Sequence, residues 1–230
     1  MDGSDLLDLW DYRRRMFDIY RMVREEPDPE SAWWRWRRAR DELFASHPQS
    51  ALEPEARATF RGLPYFPYDP RWRTTASFHP KPETAVDLAH SGAGSTRFVS
   101  IGVLRFELER TPSALQLFWL DSYGGGLFLP FRDATSGTTT YAGGRYLIDT
   151  AKGPDLGQVG KRLVLDFNFA YHPSCVHSAR WSCPLPPPGN VLPMAVEAGE
   201  RLSVGSATIA DDEPPHQVEE EEEDVCEEAP

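Results

Sequence analysis

From about Gly62 onward the chain abandons helical spacing for strand-like spacing, and this change constrains the fold more than any other feature. The segments "RWRTTASFH", "RFVSIGVLRFELE", "ALQLFWLD", "LFLPFRD", "TTYAGGRYLID", "RLVLDFNFA" and "VLPMAVEAG" are short and rich in β-branched or aromatic residues. Each is bounded by Gly, Pro, Asp or Ser, the pattern of an all-β domain. In the second segment Leu104, Phe106 and Leu108 alternate with Arg105, Glu107 and Glu109, so one face is buried and the other wet. The 21 prolines argue against a mostly helical body. About seven or more strands at this spacing predict an antiparallel β-barrel or sandwich.

Two helices precede the strands. Asp5 can cap the first, which runs to about Arg24 with an apolar stripe of Leu6, Leu9, Trp10, Met16, Phe17, Tyr20 and Val23. "EEPDPES" breaks it, and Asp28 followed by Pro29 supplies an N-cap and a first-position proline for the second. That helix sets Trp33, Trp36, Leu43 and Phe44 on one side and its arginines on the other, with arginine stems lying over the tryptophans. The two form a helical hairpin packed on the β core.

The net charge of −12 resides in one place. Residues 211–230 hold 11 acids and no Lys or Arg, leaving 25 acids against 24 bases in residues 1–210. A self-repelling block such as "EEEEED" predicts a disordered tail. The boundaries expected are a hairpin over 1–50, a β core over 51–205 and the acidic tail over 206–230. A body without basic excess carries no electrostatic footprint for nucleic acid. No apolar run approaches the roughly 20 residues of a membrane span, and the acidic start "MDGSDLLDLW" lacks the pattern of a signal peptide. The expected location is the cytoplasm, where Cys175, Cys183 and Cys226 stay mainly reduced.

Candidate chemistry gathers in "RLVLDFNFAYHPSCVHSARWSCPLPPPGN". Period-two geometry sets Asp166 and Asn168 on one strand face, opposite Leu165, Phe167 and Phe169. An unpaired buried carboxylate costs several kcal/mol, so Asp166 either meets a partner, for which Arg145 is a candidate, or faces a watered cavity. One reading is a buried salt bridge that fixes strand register. The other is a polar pocket wall built from Asp166, Asn168, Arg145 and Tyr141. In "FRDATSGTTTYAGGRY", Asp133, Thr135, Ser136 and Gly137 read as a turn in which Asp133 accepts from backbone amides. The segment holds no phosphate-binding glycine motif, and Ser136 does not sit in a nucleophile elbow. His172, Cys175, His177 and Cys183 are zinc-capable donors in a spacing that fits no standard finger. They are weak metal candidates, beside a Cys175–Cys183 disulfide or simply packed thiols.

Four ordered motifs, "FRGLPYFPYDPRWR", "LFLPFRDATSGTTTYAGGRYL", "LDFNFAYHPSCVHSARWSCPLPPPGN" and "VEAGER", together resemble DUF1684, a bacterial and archaeal family of unknown function. The resemblance covers roughly residues 10 to 202 and supplies no activity. Asp133, Tyr141, Arg145, Asp166, Asn168, Tyr171, Cys175, Cys183 and Asn190 match the family pattern. Thr139 stands where members usually carry Glu, and His172 where they carry Asn. The two histidines therefore fall outside the pattern, which weakens zinc.

The reading that results is a cytoplasmic small-ligand-binding β module, with no cofactor. Its ligand set is Asp166, Asn168, Arg145, Tyr141, Asp133 and Tyr171, with Trp119 nearby. Arg145 would take an anionic or carbonyl group and Asp166 would accept from a donor. The alternatives are a hydrolase or isomerase with Asp166 as base, perhaps metal-dependent, and a structural protein in which these groups brace the fold. The partner expected is a small molecule, not nucleic acid or membrane; the sequence does not define the oligomeric state.

Overall fold

In a computed structural model, which describes residues 3–203, the chain is mainly β with a helical N-terminus. The acidic tail and Cys226 lie outside the described residues. Helix α1 spans Gly3–Glu25 and α2 spans Pro29–Ser46. Asp28 caps α2 by accepting from the Ser31 amide at 2.9 Å, with Pro29 at the first helical position. A short α3, Pro54–Ala58, leads towards the sheet.

Seven strands follow: β1 Arg73–Ala89, β2 Ser95–Leu108, β3 Thr111–Leu120, β4 Leu127–Phe131, β5 Arg145–Asp149, β6 Gln158–Val159 and β7 Arg162–Asp166. They pair antiparallel in the order β5-β4-β3-β2-β1-β7-β6. Long β1 serves two neighbours, pairing with β7 over Arg73–Ser77 and with β2 from Ser77 to Ala89. The sheet is not closed into a barrel. An isolated Tyr146–Tyr171 bridge links β5 to the chain just past β7. The alternation in β2 holds: Leu104, Phe106 and Leu108 are buried while Arg105 and Glu107 are exposed.

Three segments depart from the sequence reading. "VLPMAVEAG" forms no strand, because its carbonyls turn inward to serve a buried arginine, although Leu192, Val196 and Ala198 enter the core. The strand predicted through "RLVLDFNFA" ends at Asp166, and Phe167–Phe169 form a 3-10 turn. The stripe of α1 is buried only in its second half, at Met16, Ile19, Tyr20 and Val23; Leu6, Trp10 and Phe17 are exposed.

The hairpin builds an apolar cluster of its own beside the main one of the sheet. Trp33 and Trp36, both essentially unexposed, pack with Leu63, Tyr65 and Phe169, and each fully buried large apolar side chain contributes about 1.5–3 kcal/mol. The Trp33 indole also donates to the Asn168 carbonyl at 2.8 Å. The Arg37 guanidinium lies over Trp33 and Trp34, at 4.7 and 4.9 Å from their ring centres. Arg40 breaks the polar-face rule: it is buried on the apolar side of α2. A separate aromatic cluster of Phe98, Phe118, Phe128 and Tyr146 fills the opposite end of the sheet.

Candidate functional site

Asp166 and Asn168 are both unexposed, and the protein itself uses their polar atoms. Asp166 Oδ1 accepts from the Asn168 amide at 3.0 Å and from its side-chain nitrogen at 2.8 Å. Its Oδ2 accepts from Arg73 at 3.1 Å. Burial raises the Asp166 carboxyl pKa against the opposing pull of Asn168 and Arg73. Asn168 then mimics a backbone partner for Asp69, accepting from its amide at 3.0 Å and donating to its carbonyl at 2.9 Å. Asn190 does the same for Gln116 and adds a bond to the Pro130 carbonyl. These two asparagines tie loops to strands where the ladder ends.

Arg145 is not the partner of Asp166. It pairs with Asp133 at 2.8 Å, with both side chains 1% exposed. It also donates to the Val196 and Ala198 carbonyls. Asp133 Oδ1 accepts from the Thr135 amide and hydroxyl at 2.7 and 2.6 Å, which makes the turn expected there. The residues of the sequence-derived ligand set thus fall into separate groups. Asp166 with Asn168 forms one and Asp133 with Arg145 another. Tyr171 sits elsewhere, its hydroxyl 3.4 Å from Asp149 Oδ2. Trp119 lies on β3, 42% exposed. Thr139 is also exposed.

The four weak metal candidates separate as well. His172 and His177 face Glu200, with His177 Nε2 3.3 Å and His172 Nδ1 3.7 Å from its Oε1. The His177 contact has the length of an ion pair but not hydrogen-bond geometry, so we read it as electrostatic. His172 Nε2 accepts from the Tyr141 amide at 3.2 Å, which puts the proton of a neutral ring on Nδ1. Cys175 lies against the Tyr141 hydroxyl and Cys183 pairs with Ser91, both away from the histidines, and both cysteines are free. Among the described residues, no three His, Cys, Asp or Glu side chains are grouped to hold a metal ion.

A pocket of about 240 Å³ opens at the end of the sheet that holds the second aromatic cluster. Phe98, Leu120, Leu127 and Phe128 form its apolar wall. These come from β2, β3 and β4, whose ends converge because antiparallel neighbours share a register there. Its polar groups are His90, Thr96, Asp149, Lys152 and Ser182. His90 is fixed by Thr96 Oγ1 at 2.7 Å and Ser182 Oγ at 3.2 Å. Lys152, 60% exposed, stands 3.3 Å from Asp149 Oδ2, and that carboxylate is the first cause raising its pKa. Sequence reasoning missed these residues because six separate chain segments supply them; the apolar, hydroxyl-flanked strand ends were the only signal.

A larger groove of about 450 Å³ on the outside of α2 is lined by Trp34, Phe60 and charged residues of both signs. It is a shallow surface feature. No helix among the described residues is long and apolar enough to cross a membrane.

The fold and its interior define a β-sheet protein built on an N-terminal helical hairpin and braced by buried acid–base pairs. The family model for DUF1684, proteins of unknown function, matches residues 58–201, and the chain belongs to that family. Among solved structures it is similar to an uncharacterised protein of Haloarcula marismortui, determined by solution NMR. That protein is 38% identical, covers 80% of this chain with 100% of its own, and superposes with a TM-score of 0.58. No curated protein matches the chain significantly.

Proposed function

We propose that the protein is a small-ligand-binding β module whose ligand occupies the pocket at the end of the sheet. One observation carries the reading: an aromatic and aliphatic wall faces a fixed imidazole, two hydroxyls and a lysine–aspartate pair in one concavity. Such a mix of apolar surface and few convergent polar groups is what ligand sites share. At about 240 Å³ it falls below the roughly 300–1,000 Å³ of sites for drug-sized molecules. It therefore suits a compact ligand with an apolar body and one anionic head, which Lys152 would take. We also propose a cytoplasmic location, a compartment in which the thiols of Cys175 and Cys183 stay reduced. Asp166 makes a poor general base, since both of its oxygens already accept from neighbours.

The test is a panel of compact aromatic and aliphatic carboxylates, with matched amines, followed by amide chemical-shift changes. Carboxylates should shift Phe98, Leu127 and Phe128 amides selectively. Lys152→Ala, at an exposed position that leaves the core intact, should weaken binding at least several-fold. If no acid shifts these residues, or Lys152→Ala binds as well as the parent, the reading is overturned.

A further inference from the structure

The chain past Glu200 runs towards the groove on the outside of α2. Residues 199–201 lie antiparallel to residues 64–66. The Phe66 amide donates to the Gly199 carbonyl and the Arg201 amide to the Pro64 carbonyl, both at 2.9 Å, around a Tyr65–Glu200 bridge. The Leu202 amide points the other way, to the Thr139 carbonyl at 2.8 Å. In that register Ser203, the last described residue, falls opposite Gly62, and Gly62 lines the groove together with Phe60 and Arg61.

The groove offers both apolar surface and cations. Trp34 and Phe60, each half-buried, supply the rings. Arg37, Arg38 and Arg61 line it against two acids, Asp41 and Glu42. Asp41 is turned to the backbone, where its Oδ1 accepts from the Leu63 amide at 2.9 Å. Stacking over the Trp33, Trp34 and Tyr65 rings holds the Arg37 guanidinium in place. Arg38 and Arg61 are exposed and form no ion pair among the described residues; Arg61 donates to the Phe60 carbonyl at 3.0 Å.

The sequence past Ser203 has the complementary make-up. Six consecutive acids, Glu219–Asp224, stand between Val218 and Val225. Such a block repels itself unless cations are set against it. Glu219 lies sixteen residues beyond Ser203, up to about 55 Å of extended chain, which reaches any point along α2.

We propose that the acidic block Glu219–Asp224 turns back on its own chain and docks in this groove. Its carboxylates pair with Arg37, Arg38 and Arg61, and its flanking valines cover Trp34 and Phe60. Exposed ion pairs are individually weak. A tether, however, supplies an effective concentration on the order of millimolar, so a contact too weak between separate molecules is populated within one chain. The groove shares no lining residue with the sheet-end pocket, so docking here is independent of ligand binding there.

The experiment compares amide and indole chemical shifts of the full chain with those of a neutralised variant. That variant carries Glu219→Gln, Glu220→Gln, Glu221→Gln, Glu222→Gln, Glu223→Gln and Asp224→Asn together. The Trp34 indole and the Arg38, Phe60 and Arg61 amides should shift between the two, while Phe98 and Phe128 in the sheet-end pocket stay put. Salt at 1 M shortens the screening length to about 3 Å and should move the parent's groove signals to their positions in the variant. In a background of Arg38→Glu with Arg61→Glu, both at exposed positions, the parent and neutralised blocks should give the same groove shifts. Groove signals that do not move, or shifts spread evenly over the surface, overturn the docking. Shifts that fade on dilution seat the block on a second copy of the chain and overturn it as well.

Discussion

Arg40 and Glu200, 160 residues apart in the chain, meet in a buried ion pair at 3.1 Å. The pair fastens the helical hairpin to the end of the β core. Arg40 also donates to the Tyr65 hydroxyl at 2.6 Å, and Glu200 accepts from the His172 amide at 3.1 Å. Burial alone would raise the Glu200 carboxyl pKa, but Arg40, His177 and His172 outweigh it and the net shift is downward.

Glu200→Gln keeps the shape and leaves Arg40 with its charge uncompensated in the interior. Breaking one side of a buried pair costs about 3–5 kcal/mol. Urea denaturation at neutral pH should show a midpoint lowered accordingly, with an unchanged slope. Replacing Glu25, whose side chain is 64% exposed opposite Arg21, should change stability by less than about 1 kcal/mol.

His172 makes the fold acid-sensitive. Burial, its leading cause, lowers its pKa from 6.5 to about 4. The unfolded chain therefore binds a proton between these values that the folded chain refuses. Stability rises with pH across that window, so the His172 share is present above pH 6.5 and lost as pH falls towards 4. Glu200, also shifted down, acts in the same direction at still lower pH. The free energy of unfolding should fall by up to about 1.4 kcal/mol per pH unit within the window. His172→Asn can still accept from the Tyr141 amide and should flatten this slope. Urea melts at pH 7 and pH 4.5 measure both.

Asp166→Asn places a side-chain amide where three donors already point, two from Asn168 and one from Arg73. Whichever way it turns, one donor faces another donor or loses its acceptor. The expected cost is about 1–3 kcal/mol, seen as a lower thermal midpoint. Binding at the sheet-end pocket should be unaffected, because Asp166 is not among its lining residues.

The alternation in β2 and the cap at Asp28 could be read from sequence because each depends on neighbours a few residues away. Asp166 and Asn168 were visible as buried polar residues, but their direction was not. Once the Asp166 side chain accepts from the amide two residues on, it caps a 3-10 turn, and period-two reasoning no longer applies past it. The D-x-N spacing carried that information locally. Arg40 and Arg145 could not be paired by pattern, since Glu200, Ala198 and Val196 come from a distant loop. Pocket and thiol residues belong to the same class: Ser91 and Cys183 meet only because two segments pair at the end of β1.

Gly199 stands between these two systems. Its φ of +76° is left-handed, and a Cβ there would lie 2.5 Å from the Ala170 carbonyl oxygen and 2.7 Å from that of Phe167. Its own carbonyl accepts from the Phe66 amide at 2.9 Å. The preceding Ala198 carbonyl serves Arg145, and the next residue is Glu200. Gly199→Ala must therefore shift backbone that positions both buried arginines. The left-handed conformation alone costs roughly 1–2 kcal/mol for a residue with a Cβ, and the clash with two carbonyls adds to it. Gly160 isolates the conformational part: its φ is +60°, and a Cβ there would meet nothing within 4 Å. In parallel urea melts, Gly160→Ala should lose only that conformational cost, while Gly199→Ala loses at least twice as much. Equal losses would mean that the loop from Val196 to Glu200 yields without disturbing the charges it carries.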